Sequence, residues 1–140
     1  MIVGTRPNER LHAAGRPALV GSQSGDRIQK MLGVELTDRR ISTCNLFKVH
    51  EVEQVNCEDR ARGILARCSL LRHYDRVVFL VNPKRVLPRA EASYFEWYET
   101  HGLQVAFSLH PSGLSRWWND HDNRQAALKF WHDLGSLVVS

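Results

Sequence analysis

The segment His110-Pro111-Ser112-Gly113-Leu114-Ser115-Arg116 sets an imidazole, two hydroxyls and a guanidinium around one apolar side chain, Leu114. Hydroxyls, backbone N–H groups near a glycine and a guanidinium grip phosphate. An apolar side chain displayed among them can push into a stack of bases. The segment follows the apolar run Leu103–Leu109 and precedes Trp117 and Trp118. A polar, Gly-containing loop at the carboxyl end of a buried strand is where open α/β sheets place their ligands.

Two further groups carry chemistry. Gly21-Ser22-Gln23-Ser24-Gly25 stands just before a helical pattern. Its N–H groups, its hydroxyls and the helix dipole make an anion site, and a plain Gly/Ser turn has the same composition. The run lacks the Lys-Ser/Thr pair of a nucleotide P-loop and the Gly-x-Gly-x-x-Gly dinucleotide fingerprint, which excludes both readings. The third group is Thr43-Cys44-Asn45-Leu46-Phe47-Lys48, at the end of an apolar run. The Asn45 carboxamide offers one donor face and one acceptor face to a planar amide edge such as a nucleobase. An asparagine at a strand end also serves as a turn former.

The elements that must position these groups alternate between strand and helix. Met1–Gly4 reads as a strand entering a long loop, Thr5–Gly21. Gly25–Leu32 reads as a helix, with Ile28, Met31 and Leu32 at helical spacing and Gly33 as its stop. Arg40–Phe47 is the next strand. Glu58–Leu71 is a helix with Ile64, Leu65, Cys68 and Leu71 on one face. Asp75–Val81 contains five consecutive apolar residues, the pattern of a strand covered on both faces. Pro88–Thr100 is expected to be a helix closed by Gly102, Leu103–Leu109 a strand, and Asp122–Leu134 a final helix. This order implies an α/β fold, a three-layer α/β/α sandwich on a four-stranded, mainly parallel sheet. It forms a single domain over residues 1–140, with no internal repeat or linker.

The net charge of +4 is compatible with a polyanionic partner without requiring one. The chain opens on Met1-Ile2-Val3-Gly4 without a basic-then-apolar leader. No apolar run reaches the ~18 residues of a membrane span. A cytoplasmic monomer that does not enter a membrane is expected. Cys44, Cys57 and Cys68 are odd in number and form no Cys-x-x-Cys pair, so they read as reduced thiols rather than metal ligands. Trp97 and Trp131 read as helix-packing residues. Arg60, Arg62, Arg67, Arg72 and Arg76 read as a solvated face, and Lys84-Arg85 and Arg39-Arg40 as surface pairs.

Taken together, the three loops resemble the uracil-DNA glycosylase superfamily over nearly the whole chain. Gly4-Thr5-Arg6-Pro7 with Gly15-Arg16-Pro17-Ala18-Leu19-Val20-Gly21-Ser22-Gln23-Ser24-Gly25 is similar to the first motif and following loop of its iron–sulfur, thermostable branch. Thr43–Lys48 is similar to the strand bearing the base-recognising asparagine. His110–Arg116 is similar to the second motif, and its part Pro111–Arg116 resembles above all that of the mismatch-specific branch. The resemblance implies an enzyme that flips a nucleotide out of DNA and hydrolyses its N-glycosidic bond. It implies that Asn45 binds the polar edge of the base and that His110 stabilises negative charge on the departing base. Leu114 would fill the vacated stack, with Arg116 beside it. Ser22, Ser24, Ser112 and Ser115 would hold phosphates, helped by Gln23, Lys48 and Gly113.

Departures from the family pattern carry their own implications. Thr5 and Arg6 stand where relatives place a carboxylate or amide that positions water. Asn8, Glu9 or Asp26 could substitute, or a dissociative reaction could need little base catalysis. The aromatic residue that stacks on the base is replaced near Ala18 or Leu19, with one residue inserted. The loss opens volume for a bulkier modified pyrimidine, of the kind found in phage DNA, and points to host defence as well as base excision repair. The N-terminal cysteine pair of the iron–sulfur branch is missing, so no cluster or other cofactor is expected. Two rivals follow from the same residues: a catalytically inactive module that recognises a flipped or damaged base, and a small nucleotide or nucleoside hydrolase.

Overall fold

The computed structural model describes residues 1–4, 15, 17–45, 57–67, 69–87, 92–100, 102–110 and 119–140. Five strands form one sheet: β1 (Ile2–Gly4), β2 (Thr43–Asn45), β3 (Arg76–Phe79), β4 (Tyr98–Thr100) and β5 (Leu103–Phe107), in the order β2-β1-β3-β5-β4. The first four neighbours in that order run parallel, and β4 pairs antiparallel with β5. Three α-helices accompany them among the described residues: α1 (Gln23–Leu32), α2 (Cys57–Arg67) and α3 (His121–Val139).

Strand alternation sorts the core into two layers. Val3, Val77, Phe79, Val105 and Phe107 face one side, where Ala61 and Leu65 of α2 pack with Leu71, Val86 and Leu87. Ile2, Val78 and Ala106 face the other, against Ile28 and Leu32 of α1 and Phe130, Trp131 and Leu134 of α3. The fold is therefore α/β, with helices on both faces of a mixed sheet. The chain leaves β1 toward β2 on one side and returns past it to β3 on the other, so β1 sits where the order reverses. The crevice outside the carboxyl ends of such strands is the usual ligand site.

Two expectations need correction. The described sheet has five strands rather than four, and the helix expected over Pro88–Thr100 is absent from the described part of that segment, residues 92–100. Residues 92–97 are irregular, and Tyr98–Thr100 is β4. Gly102, expected to cap a helix, has φ +77 and turns β4 back onto β5 as a hairpin. Trp97 therefore lies on irregular backbone. Its ring packs 5.4 Å from that of Phe130, with the Arg76 guanidinium 5.0 Å from the ring centre. The other elements keep their type and shift at their ends: α1 begins two residues early, α2 gives way at Arg67 to a 3₁₀ turn over Ser69–His73, and α3 runs on to Val139. Among the described residues no helix is long and apolar enough to cross a membrane.

Candidate active site

The parallel strands end together at one edge of the sheet, and three groups named from the sequence arrive there. Gly4 and Asn45 are paired in register as the last residues of β1 and β2. A Cβ on Gly4 would stand 2.7 Å from Asn45 Oδ1 and 3.3 Å from Leu19 Cδ2. The carboxamide and the leucine methyl thus share the space over one bare α-carbon. Asn45 and Leu19 are each half-buried. Leu19 also packs against the core layer beneath α1.

Leu19 reaches this place through an unusual backbone conformation. Its φ is +67, in the left-handed region that glycine enters readily and leucine does not. Ser22 holds the turn closed. Its N–H and its hydroxyl both donate to the Leu19 carbonyl, at 3.2 and 2.8 Å. Ser22 Oγ in turn accepts from Gly25 N at 2.9 Å and caps α1. A Cβ on Gly25 would overlap the Leu19 carbonyl oxygen, so this position admits only glycine without rearrangement. The Gly/Ser run is a tight knot at the start of α1. Gln23 and Ser24 lie in the first turn of α1, and Asp26 is exposed there, with its N–H donating to the Ser22 carbonyl. Ala18 occupies the preceding turn, half-buried.

His110 approaches from β5, two strands along from β1 and three from β2. β5 ends at Phe107, and Ser108 is fully buried, its N–H donating to the Phe79 carbonyl and its hydroxyl to that of Leu109. This anchorage delivers His110 three residues past the strand, half-buried at the same edge. Burial pushes its pKa below the usual 6.5 of imidazole, which favours the neutral ring at pH 7. A neutral imidazole donates one N–H, the form suited to stabilising an oxyanion. Three strand steps of ~4.8 Å separate the axes of β2 and β5, about 14 Å, so both side chains must lean inward to touch one small ring.

Asn45, Leu19, Ala18, the Ser22–Gly25 knot, Asp26 and His110 therefore belong to one edge. Thr5, Arg6, Asn8, Glu9, Lys48, Ser112, Gly113, Leu114, Ser115 and Arg116 lie outside the described residues. Gly4 and Gly25 are site-shaping residues that the sequence reading passed over as general loop glycines. A glycine ending a strand, in register with a polar neighbour, is the signal that could have singled out Gly4. A cavity of about 370 Å³ lies at the opposite, amino edge, lined by Ile2, Leu32, Tyr74, Val78 and Leu134 among others, and is separate from these groups.

A family model described as the uracil DNA glycosylase superfamily matches residues 1–135. No curated protein matches the chain.

Proposed function

The chain belongs to the uracil DNA glycosylase superfamily, whose members are DNA glycosylases, and we propose that it excises a base from DNA. The supporting observation is that Asn45, Leu19 and His110, far apart in sequence, come to the carboxyl edge of one sheet. In the proposed reaction the flipped base meets the Asn45 carboxamide along its polar edge. The C1′–N bond breaks with its electron pair leaving on the base. The neutral His110 ring donates its N–H to the base oxygen where the negative charge collects. Water adds to C1′ and its proton passes to the departed base anion, leaving an abasic site and a neutral free base. Asp26, Asn8 or Glu9 would orient that water.

Phosphate contacts fall to Gln23, Ser24, Lys48, Ser112, Gly113, Ser115 and Arg116, with Leu114 filling the gap in the stack. Ser22, expected to hold phosphate too, already spends its hydroxyl on Leu19 and Gly25. The base is uracil or a modified pyrimidine. Ala18 and Leu19 replace a stacking ring worth ~1–3 kcal/mol with smaller side chains, which favours the bulkier, phage-type bases and a role in defence.

The test is mass spectrometry of bases released from natural, uracil-containing and hypermodified phage DNAs, in a cell-free reaction. Release is expected from at least one, and loss of release with His110→Ala and Asn45→Ala. If none of the DNAs yields a free base, the chemistry is wrong. The second reading, an inactive module that captures a flipped base, is favoured by Thr5 and Arg6, which offer no carboxylate or amide for water. It predicts DNA binding without abasic sites.

A further inference from the structure

Leu19 pairs a strained backbone with a close neighbour whose function depends on orientation. A leucine at φ +67 is held against its own preference, and such residues gather where the surrounding structure over-determines them. Here the constraint is visible. Ser22 donates twice to the Leu19 carbonyl, and the same carbonyl is seated on the bare α-carbon of Gly25. The outcome is that Leu19 Cδ2 lies over Gly4, in the space shared with Asn45 Oδ1. The side chain is only half-buried, so core formation alone does not account for it.

We propose that Leu19 is a positioning residue for Asn45: locked by Ser22 and Gly25, it confines the Asn45 carboxamide to one plane above Gly4. A carboxamide hydrogen-bonds a planar base edge well only when the two lie close to one plane. The knot at the start of α1 thus acts at a distance on base binding, through one leucine. The geometry stands on its own, whereas its consequence for base binding rests on the glycosylase reading.

Leu19→Gly deletes the side chain while fitting the backbone, so the variant keeps its fold. Relaxation of the assigned Asn45 side-chain amide is measured by ¹⁵N NMR in the wild-type protein, Leu19→Gly and Leu19→Met. An ordered carboxamide is expected in the wild type, a mobile one in Leu19→Gly, and recovery in Leu19→Met. The thermal midpoint of Leu19→Gly should change little, because relief of the strained φ offsets the apolar packing that is lost. An equally ordered carboxamide in wild type and Leu19→Gly overturns the proposal, and with a lowered midpoint it returns Leu19 to simple packing. Base release is then measured on uracil-containing oligonucleotides, where kcat/KM should drop about ten- to a hundredfold in Leu19→Gly, with kcat carrying most of the loss. If the wild type releases no uracil, the uracil assignment fails, and the NMR comparison still decides whether Leu19 positions Asn45.

Discussion

Single residues at the carboxyl edge carry opposite kinds of demand. Gly25 has a steric one: Gly25→Ala would drive a methyl into the Leu19 carbonyl. Because the neighbour is backbone, relief requires moving the knot, and a loss of about 1–3 kcal/mol is expected in denaturant titrations. Ser22→Ala removes a helix cap and should cost ~1 kcal/mol. Its effect on activity should exceed that loss if Leu19 shifts. His110 has an electrostatic demand. Its pKa is lowered by burial, so between that value and 6.5 the unfolded chain binds a proton that the folded protein refuses. Stability from this group is complete above pH 6.5 and is lost as pH falls through the folded pKa. His110→Gln should therefore flatten acid destabilisation in pH-dependent melts. The amino terminus, pushed down to about 6 by burial, contributes a slope of the same sign in both proteins and cancels in the comparison. That Asn45 and His110 end at one sheet edge was legible from the alternation of strands and helices. The role of Gly25 was not, because the close approach of a carbonyl three-dimensionally adjacent to it leaves no mark on composition.

At the level of elements, periodicity worked where one face is buried. The strands expected over Asp75–Val81 and Leu103–Leu109 are present as Arg76–Phe79 and Leu103–Phe107, legible because both are covered by helices. The misread segment, Pro88–Thr100, mixes aromatic and acidic residues whose spacing mimics a helix. The tertiary pairing of Tyr98 with Val105 and of Thr100 with Leu103 decides instead for a hairpin. Helix packing supplies a further test. Gly135 of α3 faces the Leu32 carbonyl at the end of α1, where a Cβ would overlap backbone. Gly135→Ala gains helix propensity of about 1 kcal/mol yet must spread α1 from α3. A lowered thermal midpoint is expected, and a raised one would show that the two helices separate freely. Asp120, which caps α3 by accepting from Asp122 N and Asn123 N at 2.9 and 3.1 Å, should cost ~1 kcal/mol when changed to alanine.

For the molecule as a whole, the order β2-β1-β3-β5-β4 explains why strand ends scattered along the sequence meet at one edge. The alternation of strand and helix was enough to foresee that edge, whereas the count of strands depended on the hairpin. A net charge of +4 supports association with DNA that weakens as salt rises, with a log–log slope near −0.9 for each phosphate neutralised. Lys48→Ala and Arg116→Ala should each flatten that slope by about 1 in fluorescence anisotropy titrations. Unchanged slopes would assign the anionic contacts elsewhere. Among the described strands β2 is one of the two at the sheet edges and only three residues long, and it carries Asn45. Peeling of a rim strand is far easier than global melting. Heat should therefore disarm the protein some degrees before it denatures, and bound DNA, by clamping that rim, should push the two temperatures together.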